Sequence, residues 1–239
     1  MPKRSYSAIN HEDSYYLNNK FIHKKPKIDE EPPEEEAIEP EDFMDILGAG
    51  VKITVRDNHI YYYGSVSTSN CLKLNLAIQD VSRRLSLARV DLGVDNLKIY
   101  LHINSFGGSV FAALSSIDTI INSEFPIVSI IEGAAASAAT LMSVVCHERV
   151  IRPNAYMLIH QMSSGFWGKM EEIKDEFINL KKLTKKLKGI YKAHTKLRNK
   201  SKDKSDNDTI RLNDILKRDL WWDSDECIKY GLVDRVGCM

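Results

Sequence analysis

The most constraining stretch of the chain is residues 133–139, which read Gly-Ala-Ala-Ala-Ser-Ala-Ala and follow the apolar run Ile127–Ile131. A buried strand that ends at Gly133 and turns into a helix of small residues would place Ser137 near a helix N-terminus. Backbone N–H groups there point outward and favour negative charge. This setting suits a nucleophilic serine with an oxyanion intermediate, although Ala/Ser runs are also common where helices pack closely.

The overall composition indicates a folded protein without a charge bias. The chain has 239 residues, 43% of them hydrophobic, and equal numbers of basic and acidic residues, 33 of each. One large domain or two small ones fit this length. The zero net charge points to neither nucleic acid nor a membrane surface as a partner.

The four cysteines show no CxxC pairing and no zinc-ligand spacing, so neither a disulfide framework nor a metal site is predicted. Free thiols fit a reducing, intracellular setting, and we expect a cytoplasmic protein. The N-terminus lacks an apolar segment typical of secretory signals.

Residues 1–48 differ in composition from the rest. Segment 29–42 carries nine acidic residues and three prolines but no basic residue. Such a segment repels itself and cannot bury enough apolar surface to fold alone. We therefore predict a disordered acidic extension over 1–48, acting as a linker, a docking tail or a removable propeptide, and a folded domain over 49–239.

Strands and helices alternate along the folded part. This alternation predicts an α/β fold built from βαβ units with a mostly parallel sheet. The expected elements are strands at 51–55 and 60–63, a helix at 69–90, a strand at 97–103, a helix at 110–121, a strand at 127–131, a helix at 135–145, and strands at 149–151 and 156–159.

A long helix is predicted over residues 169–198, where apolar residues recur every three or four positions along a narrow stripe. Its second half is basic, with ten Lys/Arg and no acidic residue between 181 and 202. A nucleic-acid surface would explain this charge, but a single aromatic residue, Tyr191, lies among the lysines. A solvated or partner-facing helix is the favoured interpretation.

Two further features point to the same sheet edge as Ser137. His160 follows the strand at 156–159, and the pair Gly107-Gly108 follows the strand at 97–103. Catalytic groups of α/β proteins collect at the carboxyl ends of strands, and glycines let backbone N–H groups approach a ligand closely. Nucleophile, base and oxyanion donor would thus meet, but spacing alone does not identify the acid that orients the base.

Taken in order, four motifs closely resemble the ClpP family of serine peptidases. The resemblance extends from about residue 51 to 236. The motifs are Asn104-Ser105-Phe106-Gly107-Gly108-Ser109-Val110, then Gly133-x-Ala135-Ala136-Ser137-Ala138, then Met157-Leu158-Ile159-His160-Gln161, and finally Arg218-Asp219 with Tyr230-Gly231-Leu232-Val233-Asp234.

The resemblance implies a ClpP/crotonase-type fold with repeated ββα units, in which the 169–198 helix is the handle that stacks two rings of subunits. It implies Ser137 as nucleophile, His160 as general base and Asp219 as the residue that orients the base. It further implies the N–H groups of Gly108 and Ala138 as oxyanion donors. The implied substrate-binding residues are Gly107, Gly165 and Gly168.

The chain also departs from the family pattern. Phe106 stands where the family usually has proline, and Ala139 where many members have glycine. The segment 64–108 is longer than usual, and we place the additional residues in an insertion near 88–96. The compact spacing from Ser137 to His160 and the positions of Trp167 and Trp221 look more like the viral branch of the family.

The expected function is peptide-bond hydrolysis without a cofactor, most simply as the proteolytic subunit of a Clp-type protease. The chain has no GxxxxGK[ST] loop, so any ATP would be used by a partner AAA+ unfoldase. The expected partners are protein substrates and further copies in stacked rings. Two alternatives stay open, a phage head-maturation protease and an inactive ClpP-like ring subunit.

Overall fold

The computed structural model describes residues 52–165, 167–197 and 212–237. The predicted acidic extension over 1–48 lies outside these residues, as does the basic segment 198–202. Within the described ranges the chain forms a mixed α/β domain, as the alternating pattern predicts.

Up to residue 194 the elements follow one another in the predicted order. The strands are β1 (Lys52–Arg56), β2 (His59–Tyr63), β3 (Ile99–Ser105), β4 (Ile127–Ala136), β5 (Glu148–Ile151), β6 (Tyr156–Leu158), β7 (Trp221–Trp222) and β8 (Arg235–Val236). The helices are α1 (Thr68–Leu92), α2 (Val110–Ile121), α3 (Ala138–Val144), α4 (Met170–His194), α5 (Leu212–Ile215) and α6 (Ser224–Tyr230).

The strands join in a single sheet of order β1-β2-β3-β4-β5-β8, with β6 and β7 continuing from the far end of β4. All pairs are parallel except β1 with β2 and β6 with β7. The predicted mostly parallel sheet is therefore confirmed. Parallel pairing brings the carboxyl ends of β3, β4 and β6 to one edge, where catalytic groups usually lie.

The main core fills the space between the sheet and the helices packed on it. Alternate residues of the central strands point into it, among them Leu101 and Ile131, and α1, α2 and α3 cover this face. Cys71, Cys146 and Cys227 are buried free thiols. Burial of this much apolar surface is the main favourable contribution to folding.

Helix ends coincide with residues that suit them. Ser67 caps α1 by accepting a hydrogen bond from the N–H of Asn70, and Gly93 ends the helix in the left-handed conformation. Asp223 and Glu226 form a reciprocal capping box on α6, which ends at left-handed Gly231. Local sequence thus determines these boundaries, and α1 runs to Leu92, further than its predicted end at residue 90.

The strand before Ser137 is longer than predicted, and this corrects the expectation that it ends at Gly133. β4 continues to Ala136, because Ala134–Ala136 pair in parallel with β6. Gly133 takes a φ of 73° and bends the strand without ending it. The predicted helix at 135–145 is consequently shorter, Ala138–Val144, and Ser137 lies between the two elements.

The long helix α4 covers 25 residues, close to the prediction. Its first half exposes large apolar side chains, whereas Tyr191 near its end is buried. The described helices include none that is long and apolar enough to cross a membrane. The exposed apolar residues of the first half are Met170, Ile173, Phe177 and Ile178.

Arg149 on β5 ties the C-terminal elements together. Its guanidinium pairs with the Asp234 carboxylate through two hydrogen bonds and donates to the backbone carbonyls of His194 and Gly231. Burial would raise the pKa of Asp234, but the hydrogen bonds and charge of Arg149 outweigh this and lower it below its ordinary value.

We predict that Arg149→Met lowers the free energy of unfolding by about 2–4 kcal/mol at neutral pH, because two carbonyls and a carboxylate lose their donor. A carboxyl with a lowered native pKa stabilises the fold above its unfolded pKa, and this contribution disappears as the pH falls through the native value. The difference between wild type and variant, measured by urea unfolding, should therefore narrow in acid. Arg235→Met, which removes a more exposed pair with Glu148, should cost about 0–1 kcal/mol.

Candidate active site

Ser137 has an unusual backbone conformation. Its φ is 53° and its ψ is −125°, a region that residues with a side chain rarely occupy. Its N–H donates to the carbonyl of Leu158 at 2.9 Å, and its carbonyl accepts from the Thr140 N–H at 3.1 Å. Strain of this kind costs about 1–3 kcal/mol and persists only where surrounding contacts impose it, which often marks a functional site.

Of the two glycines after β3, Gly107 packs directly against this turn and Gly108 packs against Val66. A Cβ on Gly107 would lie 2.7 Å from the Ser137 Cβ, and one on Gly108 would lie 2.3 Å from the Val66 carbonyl oxygen. Both glycines have positive φ values, 95° and 149°. Only glycine allows the loop to approach the serine this closely.

The loop is held by backbone hydrogen bonds on its other side. The Val66 N–H donates to the Gly107 carbonyl, and the Ser109 N–H donates to the Val66 carbonyl. Within the described residues, neither the N–H group of Gly108 nor that of Ala138 donates a hydrogen bond to a backbone carbonyl. Both residues line the cavity at Ser137, so these two groups are suited to bind an oxyanion.

His160 lies just beyond β6 and contacts Asp219. Its Nδ1 is 3.1 Å from the Asp219 Oδ1, with the histidine side chain 30% exposed and the aspartate 77% exposed. The Gln161 N–H donates to the Leu216 carbonyl at 2.7 Å, which joins the two segments that carry the pair. The sequence alone left the acid open, and the structure brings Asp219 to the histidine.

Ser137 and His160 line the same cavity, of about 410 Å³. In the part of the chain that is described, no hydrogen bond joins their side chains. Catalytic hydrogen bonds are often long in the absence of substrate and shorten when substrate binds. The cavity lies between α3, α4 and the segments around His160 and Leu216, and apolar side chains form much of its wall.

Thr140 and Tyr191 are two site residues that the sequence did not reveal. The Thr140 hydroxyl donates to the Ser137 carbonyl at 2.6 Å and lies 2.6 Å from the Tyr191 hydroxyl. Tyr191 is buried, which raises the pKa of its hydroxyl above the ordinary value. This chain of hydroxyls connects α4 to the strained turn. In the sequence, the position of Tyr191 next to the apolar stripe of the helix was the only indication of this connection.

An aromatic pair bridges two loops of the site. Phe106 precedes the glycine pair and is 74% exposed, and its ring meets the Trp221 ring edge to face at 5.9 Å. Trp221 pairs with Leu158 and follows Asp219 by two residues. Because position 106 is phenylalanine and not proline, its ring connects the loop of Gly107 and Gly108 to the segment that contains Asp219.

Gly165 and Gly168 are not brought to the cavity. Both are exposed in the segment between β6 and α4, and the described residues of that segment form no strand. A Cβ on Gly165 would meet nothing within 4 Å. Their predicted role in binding the substrate backbone stays a prediction.

Two of the other histidines take part in a different network. His102 contacts both His59 and Glu132, at 2.9 and 3.0 Å, while Arg152 and Tyr63 also bind the Glu132 carboxylate. Burial would raise the pKa of Glu132, but the hydrogen bonds from Tyr63, His102 and Arg152 together outweigh it and lower this pKa below its ordinary value. Of the histidines in the described residues, His160 alone lines the cavity at Ser137.

Comparison with known proteins finds relatives of this chain. Residues 72–238, which include every candidate site residue, match the family described as Clp protease. An ATP-dependent Clp protease proteolytic subunit from Streptococcus mutans is 36% identical over 145 residues, covering 59% of this chain and 70% of the relative. A protein of the same name from Deinococcus radiodurans is 32% identical over 141 residues, covering 58% and 64%.

We predict that Gly107→Ala displaces the turn at Ser137, because the added methyl group would overlap both the serine Cβ and the Ala136 carbonyl oxygen. The free energy of unfolding should fall by about 1–3 kcal/mol in thermal or urea unfolding. The matched control is Gly165→Ala, because a methyl group at this position would contact nothing within 4 Å. It should change the free energy of unfolding by less than about 0.5 kcal/mol. Equal stability of the two variants would contradict the close packing.

Proposed function

The chain belongs to the Clp protease family of serine-type endopeptidases, and from this we propose that it hydrolyses peptide bonds in proteins through Ser137, His160 and Asp219. The observation that carries the proposal is the placement of His160, which contacts Asp219 and lines the cavity of Ser137. Nucleophile, base and orienting acid come from three separate segments that meet at one sheet edge.

In the proposed reaction the Ser137 Oγ attacks the substrate carbonyl carbon while His160 Nε2 takes the hydroxyl proton. Asp219 accepts a hydrogen bond from Nδ1–H, which fixes the tautomer and stabilises the imidazolium. His160 then protonates the leaving amine, leaving an acyl-enzyme on Ser137. In the second half, His160 activates water, which releases the acid and restores the serine.

The negative charge that develops on the carbonyl oxygen would be bound by the N–H groups of Gly108 and Ala138. One such donor typically contributes about 10²–10³ in rate. Because both donors belong to the backbone, their position depends on the fold of the two turns. Every step uses side chains and backbone of this chain, and we propose no cofactor.

We further propose that the chain is the proteolytic subunit of an ATP-dependent complex, as the names of its two relatives describe. A partner unfoldase would use the ATP. The exposed apolar side chains on the first half of α4, including Ile173 and Phe177, provide a surface for stacking two rings. We propose this helix as the handle between them.

The test of the reaction compares hydrolysis of a fluorogenic peptide by the wild type and two variants. Ser137→Ala should lower kcat by about 10³-fold or more, and Asp219→Asn by about 10²–10⁴-fold, because the base loses its orienting acceptor. Asp225→Asn, which removes an exposed carboxylate that does not line the cavity, should leave the rate unchanged.

An inactive ring subunit predicts that the wild type and Ser137→Ala cleave equally slowly, which would overturn the proposal. A head-maturation protease predicts cleavage without an unfoldase and self-cleavage within residues 1–48. Intact mass after purification, together with recovery of an AAA+ partner, separates that role from the Clp subunit.

For assembly, we predict that Phe177→Glu halves the mass of the particle in native mass spectrometry, because a charge on the apolar surface opposes stacking of two rings. Lys182→Met on the same helix is the control and should leave the double ring intact. An unchanged mass for Phe177→Glu would exclude this surface from the ring contact.

A further inference from the structure

The cavity at Ser137 combines apolar walls with basic side chains. Leu141, Leu187 and Leu216 supply apolar surface, whereas Lys188 and Lys217 bring ammonium groups to the lining. Among the described residues that line this cavity there is no aspartate and no glutamate. The cavity next to the nucleophile is therefore positively charged.

Of the two lysines in the described lining, Lys188 is the one without an acidic partner among the described residues. It lies half-buried on α4, and the described residues offer it no ion pair. Lys217 is more exposed and pairs at 3.4 Å with Asp214, which lies outside the lining. A partly buried ammonium without a counter-charge favours a ligand that carries a carboxylate.

The positive charge continues beyond the cavity. An adjoining groove of about 470 Å³ shares Thr184, Lys188 and Asn213 with it. The described lining of this groove likewise contains no acidic residue, and it contains three more lysines: Lys181, Lys185 and Lys192. A peptide that leaves the cavity in this direction would meet a basic surface, which also attracts acidic chains over longer distances.

We infer that the cavity accepts the acidic side chain of the residue whose carbonyl Ser137 attacks, so that the substrates are peptides cut after glutamate. The inference rests on the proposed peptidase function. Because the nucleophile lies at the cavity, the side chain adjacent to the attacked carbonyl is the one that enters. The leucines contact its methylenes, and Lys188 binds its carboxylate.

The experiment uses four internally quenched peptides that are identical except for the residue before the scissile bond, which is Glu, Gln, Leu or Lys. Gln has the shape of Glu without its charge. We expect kcat/KM for Glu to exceed that for Gln by about tenfold, in line with one charge-assisted hydrogen bond. Added salt should reduce the Glu/Gln ratio, because screening weakens the attraction.

Variants of Lys188 test whether this residue causes the preference for glutamate. Lys188→Met should bring the Glu/Gln ratio close to one, and Lys188→Glu should make the Lys peptide a better substrate than the Glu peptide. Lys182→Met is the matched control, since Lys182 is on the same helix but lines neither the cavity nor the groove. It should retain the wild-type ratio.

The outcomes distinguish the inference from the function on which it rests. If the wild type cleaves none of the peptides faster than Ser137→Ala does, the peptidase proposal fails and the inference fails with it. If the wild type cleaves the Leu peptide well and treats Glu and Gln alike, the peptidase stands and the acidic preference is overturned. A Glu preference that survives Lys188→Met would likewise overturn the assignment to Lys188.

Discussion

The site depends on the turn that holds Ser137 between β4 and α3. Its positive φ is imposed by the hydrogen bond to the Leu158 carbonyl, by the contact of Gly107 with the serine Cβ, and by the Thr140 hydroxyl on the serine carbonyl. Each contact comes from a different segment. Strain at Ser137, the proposed nucleophile, is therefore maintained by the fold as a whole, and the same contacts hold the proposed oxyanion donors near the serine.

Parallel pairing explains why distant segments meet at this turn. Ser105 pairs with Ala135, and Ala136 pairs with Leu158, so that the ends of β3, β4 and β6 lie side by side. The glycine loop, the serine and the histidine follow these three ends. The antiparallel pairing of β7 with β6 then places the segment containing Asp219 next to His160. Most of the site thus follows from the register of the sheet.

Much of this arrangement could be predicted from the sequence. Alternating apolar runs with Gly, Pro and Asn between them indicated the strands and helices, and strand ends indicated Ser137, His160 and Gly108. The extension of β4 past Gly133 was missed, because alanines fit a strand between two neighbours as well as a helix. Periodicity carries no information on that choice.

Other features depend on contacts between residues that are far apart in the chain. Asp219 could be chosen over its neighbouring aspartates only through the family resemblance. The link from Tyr191 to Ser137 passes through Thr140, which is 51 residues before Tyr191 in the chain. In the sequence Lys188 is one of many lysines on a basic helix, and only the fold shows that it lines the same cavity as Ser137. Tertiary packing decides these positions.

The most direct measurement is the site and rate of modification by a fluorophosphonate, determined by mass spectrometry of the assembled protein. The account predicts one adduct, on Ser137, which forms in the wild type and is slowed at least about 10²-fold by His160→Ala, because the base no longer activates the hydroxyl. The absence of an adduct on Ser137, or modification at the same rate without His160, would contradict it.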